Sequence, residues 1–575
     1  MAPRAPGRAM DIPPEIWSLV ADELLYDASS NLHGRKSGAW HTPRLSCRYM
    51  GINRFFYALY LSLKYGEVVW RKLDERLLYE LRELQKPTVA GHVRRLVVSS
   101  WFIDYLVKRD RTLPPPSQAS VPEAFGFVST LEALQSALTS LIWTPLPAGK
   151  MPVSASTSSD SVLQLMTNAI PNMRNVVAYR FELRDMNLTT QTQGFLRAAQ
   201  LPFGGNLRKL AVQTTIFNFG ALLDFAGLEN LDEIELHFDY TSHGSSDAAA
   251  VSTLAQREAL ALERDIIPFI KSRKNVLRSL IIASYSSLDL SPFFRSIGPF
   301  PSLRVLSLHI LLDESHLSDV DALIDFLRLV TSSLTHLEIR PGTPEASPGE
   351  QIGLGWSPNT PCQNRRRRSY LRVQIALVRN PDILQSLQGL HLPVGNFEWC
   401  YHLIKRTSRS LTHLSLSDHL FASSDNKLLE LLDIFASNPF KVASLLLHVQ
   451  TLSTDLIKLL ARKLPGLQSL VLIFEDFFRY RGAAGHVVNY SAEPDADFLS
   501  EMKNIEVGEL DWYLQHICVV GQRYGLPFSP EDATLVGVPP STAKTNRCYS
   551  YDIAQKIPSI KSYGAVQFHR DVFMH

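Results

Sequence analysis

Long hydrophobic runs are absent from this chain of 575 residues. No stretch approaches the ~18 consecutive apolar residues that a membrane-spanning helix needs, so we expect no membrane partner. The segment Met1–Met10 carries Arg4 and Arg8 without an apolar segment behind them, a pattern that does not fit a signal peptide. We therefore expect a cytoplasmic or nuclear protein, or one shared between both compartments.

Cysteine is scarce and irregularly placed. The five cysteines are odd in number and never spaced C-x-x-C, which indicates reduced thiols and no zinc ligand set: Cys47, Cys362, Cys400, Cys518 and Cys548. Four motifs of phosphate, dinucleotide, zinc-protease and serine-hydrolase chemistry are also missing: G-x-x-x-x-G-K-[ST], G-x-G-x-x-G, H-E-x-x-H and G-x-S-x-G. We predict no catalytic residue, no metal and no cofactor. An enzyme with a fold hidden in residues 100–200 or 520–575 stays an open alternative.

Neither sign of charge is in excess. The chain has 58 Lys+Arg against 56 Asp+Glu, a formal net charge of +2. Nucleic-acid-binding domains are usually strongly basic, so we expect no nucleic-acid partner. With 45% hydrophobic and 20% charged residues, the composition is that of a globular protein.

The chain does contain a repeated motif, apolar-x-x-apolar-x-apolar. Its two longest intervals, Leu231 to Leu277 and Leu334 to Leu387, are each about twice the short ones. Weaker copies start at Val93, Met173 and Met502. The nine clear copies start at Leu207, Leu231, Leu277, Leu303, Leu334, Leu387, Leu411, Val442 and Leu467.

Each copy predicts a strand whose alternate side chains point into a core. Apolar residues at helical spacing lie between the copies, as at Val320, Leu323, Ile324 and Leu327. One strand and one helix every ~25–30 residues resembles the leucine-rich repeat, over residues 90–520. The resemblance implies an α/β solenoid with parallel strands on its concave face and helices on its convex face. The asparagine or cysteine usual after the strand is missing, as at His419. We therefore expect no asparagine ladder and an irregular solenoid.

Three segments interrupt the repeats and are expected to be loop insertions, near residues 108–125, 144–160 and 341–370. The third ends in the run Arg365–Arg368. We favour the interpretation that these arginines are simply solvated in a loop. The alternative is a patch for nuclear import or for an acidic partner. The repeat signal stops near Gly521 and leaves residues 521–575 as an unassigned tail.

Residues 10–80 follow a different pattern. Pro13 and Pro14 suit the first turn of a helix, and Glu15 suits its positive dipole end. An apolar stripe follows at Ile16, Leu19, Val20 and Leu24. A second apolar segment runs from Ile52 to Leu59, and the pattern closes at Val69–Leu73. Such a small helical module has little core of its own and needs a partner.

These elements resemble the F-box, in the form found in fungi, where it often precedes degenerate leucine-rich repeats. The resemblance implies docking on a Skp-type adaptor of a cullin–RING ubiquitin ligase, while the repeats hold an unknown substrate protein. Such a chain would contribute to catalysis by holding the substrate near the ubiquitin carrier, and it would need no active site of its own. A leucine-rich-repeat scaffold or inhibitor without a ligase stays an alternative. The residues implied in adaptor binding are Ile12, Pro13, Pro14, Ile16, Leu19, Leu24, Ile52 and Phe55.

Histidine is frequent at outward-facing strand positions. Positions 4 and 6 of the motif point into the core, so positions 3, 5 and 7 face outward. A polar stripe for substrate binding is predicted from His237, His309, His336, Glu338, Arg340, His391, His413 and His448. A merely solvated sheet surface is the alternative. With an ordinary imidazole pKa of ~6.5, binding should respond to pH between about 5.5 and 7.5. Strand neighbours alone fix no tetrahedral metal site.

Overall fold

The structure is a computed structural model. It describes Ile16, Trp17 and Val20, and further along the chain residues 54–99, 159–184, 188, 190–223, 228–239, 248–284, 286, 288–341, 361–421, 426–435, 442–449, 452–475, 496–507, 509–522, 553–560 and 562–563.

A single sheet of fourteen parallel strands organises the described chain. Strand order in the sheet equals strand order in the sequence, so each strand pairs with the next one along the chain. The strands are β1 (Glu67–Trp70), β2 (Arg95–Ser99), β3 (Ala178–Arg184), β4 (Lys209–Thr215), β5 (Glu233–Asp239), β6 (Ser279–Ser284), β7 (Val305–Ile310), β8 (His336–Pro341), β9 (Gly389–Pro393), β10 (His413–Phe421), β11 (Ser444–Val449), β12 (Ser469–Glu475), β13 (His516–Gln522) and β14 (Ser562–Tyr563).

Parallel neighbours need crossover connections, and the helices lie in these connections, except for the first helix, which precedes β1. They are α1 (Arg54–Tyr65), α2 (Glu75–Glu83), α3 (Pro87–Ala90), α4 (Ser159–Ala169), α5 (Thr190–Phe203), α6 (Phe219–Leu223), α7 (Ala248–Ala261), α8 (Ile267–Ser272), α9 (Ser291–Ile297), α10 (Val320–Val330), α11 (Pro361–Arg379), α12 (Phe397–Thr407), α13 (Asn426–Asp433), α14 (Thr454–Lys463) and α15 (Ala496–Asn504). Within the described residues, no helix has the length and apolar character to cross a membrane.

The core runs along the sheet between strands and helices. In β8, Leu337 and Ile339 are buried, whereas His336, Glu338 and Arg340 are only partly covered. The same motif positions are buried from β2 to β13, and one continuous cluster contains them. This arrangement confirms the predicted fold class, an α/β solenoid of the leucine-rich-repeat kind.

A polar ladder ahead of the strands ties successive repeats together, in a different place from the asparagine ladder that was expected to be absent. The residue before the first apolar position of a motif bonds a backbone carbonyl of the preceding repeat. Asn206 donates to Arg174 O (2.8 Å) and Asn230 to Gly205 O (2.7 Å). The other members are Asn175, Ser302, Ser333, Ser386 and Ser410. The ladder was missed because it lies before the strand, away from its usual place.

Several predicted elements are wrong. The weak motif copy at Met502 lies in helix α15, ahead of β13, and the strand register puts the motif of β3 at Val176 instead of Met173. Val69 and Trp70 belong to a strand, not to a helical segment: β1 pairs with β2 and Trp70 is fully buried in the solenoid core. The sheet therefore begins inside the range expected for the helical module. The run Arg365–Arg368 lies in helix α11, which begins at Pro361, and not in a loop. The segments 108–125 and 342–360, and the part of 144–160 before Ser159, lie outside the described residues.

The end of the chain contributes to the solenoid. Ile553 and Ile557, in the segment predicted to be an unassigned tail, are fully buried in the main core. Ser559 donates a hydrogen bond to Leu514 O (2.7 Å), and β14 pairs with β13. Residues 553–563 thus cover the last repeat.

Candidate functional site

The described part of the predicted adaptor-binding stripe is exposed. Ile16 and Val20 are helical, 48% and 40% exposed, and four residues apart, so they share one face. Trp17 is half-buried, and its ring meets Phe56 edge-on at 5.5 Å between centroids. The side chains of Ile16 and Val20 are therefore open to a partner, while Trp17 attaches the helix to α1.

The other predicted adaptor-binding residues divide into two groups. Phe55 is half-buried against Phe56, with ring centroids 5.7 Å apart, so it supports the small cluster beneath the helix more than it offers a contact surface. Ile12, Pro13, Pro14, Leu19, Leu24 and Ile52 lie outside the described residues. Tyr57, which the sequence pattern does not mark as an adaptor-binding residue, is 51% exposed on α1.

Helix α1 belongs to two cores at once. Near its start, Phe56 packs with Trp17 in a small separate cluster, whereas Leu61 and Tyr65 near its end lie in the main core. The ammonium of Lys64 lies over three tyrosine rings, at 4.8 Å from Tyr65 and 5.7 Å from both Tyr60 and Tyr79. Since Tyr79 belongs to α2, these contacts hold α1 against the first repeat.

The six predicted histidines all lie on strands, on the face opposite the leucines. His309, His336 and His413 are half-buried, but His237, His391 and His448 are 3–7% exposed, so a simply solvated surface is excluded for these three. One outward-facing row of neighbouring residues runs in register from β3 to β13. It carries charge at Arg180, Glu235 and Glu338 and ends in apolar residues: Arg180, Ala211, Glu235, Ile281, Ser307, Glu338, His391, Ser415, Leu446, Val471 and Cys518.

The charged end of this face is an ion-pair network. Arg180 bonds Glu182 (2.7 Å) and Glu235 (2.9 Å), and Glu235 also accepts from His237 (2.7 Å). Burial alone would raise the pKa of Glu235, but His237 and Arg180 outweigh it and hold that pKa well below its usual range. Burial alone would lower the pKa of Arg180, but Glu235 and Glu182 outweigh it, so the pKa of Arg180 is raised. The guanidinium of Arg180 and the carboxylate of Glu235 therefore stay ionised. Arg180, Glu182 and Glu235 were missed, although their outward positions in β3 and β5 could have identified them.

A second network is centred on Glu338, which was predicted. Glu338 accepts from Ser307 (2.6 Å), pairs with Arg340, and lies 3.4 Å from His309. His391 is 4.0 Å away, at the edge of ion-pair range. Burial would raise the pKa of Glu338, yet Arg340 and His309 hold it well below its usual range. The structure therefore brings Arg340, His309 and His391 together around the carboxylate of Glu338.

Serine, histidine and carboxylate meet here without forming a nucleophile. The single hydroxyl proton of Ser307 goes to Glu338, so its oxygen accepts the Nε2 proton of His309 at 3.0 Å. A general base would have to accept a proton from the serine instead. The contact links β7 to β8.

Burial lowers the pKa of four of the predicted histidines, and so shifts their expected protonation to lower pH. It lowers the pKa of His336 and that of His448 to about 4, helped by His413 in the first case and by Arg340 in the second. Burial also lowers the pKa of His309, although Glu338 opposes it, and the pKa of His413. These four imidazoles are neutral near pH 7. The predicted window of pH 5.5 to 7.5 is wrong for His336 and His448 because water no longer stabilises the charged ring.

An apolar cluster forms the far end of the concave face. Leu446, Val471, Ile473 and Cys518 pack together there, apart from the main core. Burial raises the pKa of Cys518 to about 12, so its thiol stays protonated. Apolar residues at outward motif positions in β11 and β12 were the available signal. Among the described residues, no group of three or more His, Cys, Asp or Glu side chains is placed to hold a metal ion.

Comparisons with known proteins add little. No protein-family model matches the chain, and no curated protein matches it in sequence. Among solved structures, the chain is similar to a chain of the Rad7 and Elc1 complex from yeast. The similarity covers 80% of this chain and 89% of that one, at 13% identity and a TM-score of 0.32. A likeness this weak has no bearing on function, and the fold rests on the strand register described above.

Proposed function

We propose that this protein is a substrate-recognition adaptor of an SCF-type cullin–RING ubiquitin ligase. The N-terminal module would dock on a Skp-type adaptor and, through it, on the cullin scaffold. The observation that carries the proposal is the exposed apolar pair Ile16 and Val20, on a helix fixed by Trp17 to α1. Exposed aliphatic side chains on a small, anchored helix are suited to a protein partner.

The concave face of the solenoid would hold the substrate protein. Repeat solenoids present such faces as extended binding surfaces. Here the accessible centre of the face carries Arg340, His309, His336 and His413, all at least partly exposed. The predicted binding role of His237, His391 and His448 becomes indirect, because their burial leaves them to support neighbouring strands. The protein contributes position, not chemistry, to ubiquitin transfer, in the cytoplasm or nucleus.

The test is recovery of a Skp-type adaptor by the full-length protein. Ile16→Asp puts a charge into a dry contact, at a cost of several kcal/mol, so adaptor recovery should fall at least tenfold. Leu260→Asp is the matched control, since Leu260 is 61% exposed on α7 of the solenoid. It should leave adaptor binding unchanged. Both variants should keep the wild-type melting temperature.

A scaffold or inhibitor without a ligase is the competing function, favoured only by the polar side chains of the concave face that already pair with one another. If wild-type protein recovers no Skp-type adaptor, or if Ile16→Asp and Leu260→Asp recover equal amounts, the ligase proposal fails. The scaffold function would then be the better description of the chain.

A further inference from the structure

The sheet ends differently at its two edges. At the carboxyl end, the short strand β14 pairs with β13, and residues 553–563 cover the last repeat. At the amino end, β1 pairs with β2 on its inner side. Among the residues that the structure describes, no backbone group bonds the outer side of β1. This outer edge is therefore a place where a further strand can add to the sheet.

The strand register shows which backbone groups point to this edge. The carbonyl of Gly66 accepts from Arg95 N (2.9 Å), and Glu67 stands opposite Arg95. The backbone groups of successive residues in a strand point to opposite sides, so alternate residues from Gly66 onward bond β2. The N–H and C=O groups of Glu67 and Val69 therefore point to the outer edge.

The outward-facing side chains of this segment follow the order acidic, apolar, basic. Glu67 and Arg71 are exposed, and Val69 between them is 39% exposed. Arg71 also lies near enough to Glu182 of β3 for their charges to interact, which places it on the concave side of the sheet. In the opposite direction the same segment is basic, apolar, acidic. It is therefore complementary in charge to a second copy of itself that runs antiparallel.

We propose that the protein forms a dimer in which β1 pairs antiparallel with β1 of a second copy. In the register centred on Val69, the two valines stand opposite each other, and Glu67 of each copy faces Arg71 of the other. Val69 exchanges two N–H···O=C bonds with its counterpart, because both of its backbone groups point to the edge. The twofold axis passes between the two valines, so the two concave faces join in one continuous sheet.

Other registers lose this match. A shift by one residue puts Glu67 opposite Trp70, whose side chain faces the core. A shift by two residues puts Glu67 opposite Val69 and leaves no arginine facing it. Since β1 has only four residues, we expect a weak, reversible dimer. The inference goes beyond the ubiquitin-ligase proposal and does not depend on it.

The test is sedimentation equilibrium of the full-length protein at about 1 to 100 μM, the range in which a weak dimer forms. Wild-type protein should be a monomer at the low end and approach twice the monomer mass at the high end. Val69→Pro removes the N–H that points to the outer edge, and proline is tolerated at such a position of an edge strand. This variant should stay monomeric over the whole range.

Exchanging the charges tests the register without a proline. Glu67→Arg puts an arginine opposite Arg71, and Arg71→Glu puts a glutamate opposite Glu67, so each change should weaken dimerisation about tenfold or more. The variant with both changes reverses each pair and should dimerise within about threefold of wild type. Glu229→Arg, at an exposed glutamate ahead of β5, is the matched control and should dimerise as wild type does.

Melting curves show whether each variant is folded. Arg71→Glu brings a second negative charge near Glu182, so Val69→Pro and Glu67→Arg provide the test if that variant does not fold. The proposal is overturned if wild-type protein stays monomeric, since a strand of a different protein would then be the better occupant of the edge. It is also overturned if Val69→Pro and Glu67→Arg dimerise as well as wild type, because another surface would then hold the two copies.

Discussion

At the scale of single residues, depth decides what a histidine of this sheet can do. The alternation of the motif predicted which way His237, His391 and His448 would face, and the strand register agrees. It could not predict their burial, because that depends on the side chains that adjacent strands place beside them. The consequence is chemical: an imidazole that water cannot reach is a weaker base than one in solution.

This weakening makes the stability of the protein depend on pH. His448 is 3% exposed and its pKa is lowered to about 4, against ~6.5 in an unfolded chain. Between these values the unfolded state binds more protons than the folded state. Stability is therefore complete above about pH 6.5 and is lost as the pH falls toward 4. The melting temperature should decline over that range, and less steeply in His448→Gln.

The control for this prediction is His402→Gln, on an exposed histidine of α12. Its melting temperature should follow the wild-type pH profile. Curves for wild type and His448→Gln that run parallel between pH 6.5 and 4.5 would show that this imidazole is not the group that takes up the proton.

At the scale of helices and strands, the sequence predicted most repeats because each motif spans a strand of five or more residues. β1 was missed because its four residues Glu67–Trp70 are too short to show alternation, and because Val69 and Trp70 were assigned to the small helical module. The helix at Arg365–Arg368 was missed because its composition resembles that of a loop. The signal lay downstream, where Tyr370, Val373 and Leu377 bury one face of α11.

The polar ladder gives each repeat a defined tie to the one before it. Asn230 donates to Gly205 O at 2.7 Å, while its exposed neighbour Glu229 makes no such bond to the preceding repeat. Asn230→Ala should therefore lower the free energy of unfolding by about 0.5–1.5 kcal/mol, the usual value of one hydrogen bond. Glu229→Ala should change it by less than about 0.5 kcal/mol. Denaturant unfolding followed by circular dichroism measures both, and equal effects would remove the ladder as a stabilising feature.

At the scale of the whole molecule, α1 joins the two proposed binding surfaces. Its first half packs under the helix that carries Ile16, and its second half lies in the core beneath the concave face. A partner on the N-terminal helix and a partner on the concave face would thus be connected by one continuous helix of 12 residues. Such a connection suits a protein that acts by holding two partners at a set distance.

A solenoid also needs a cover at each end, because each repeat buries its apolar face only against its neighbours. At the carboxyl end the cover is residues 553–563: Ile553 and Ile557 fill the core, and β14 occupies the edge of β13. Removing residues 551–575 would expose this core and leave an unpaired strand edge, a template for pairing with other chains. We expect a melting temperature lower by several degrees and concentration-dependent self-association, measured by thermal scanning and light scattering. A truncation that removes only residues 564–575 keeps the cover and should behave as wild type. If both truncations melt and scatter alike, the segment 553–563 does not stabilise the last repeat, and the core would have to close on β13 alone.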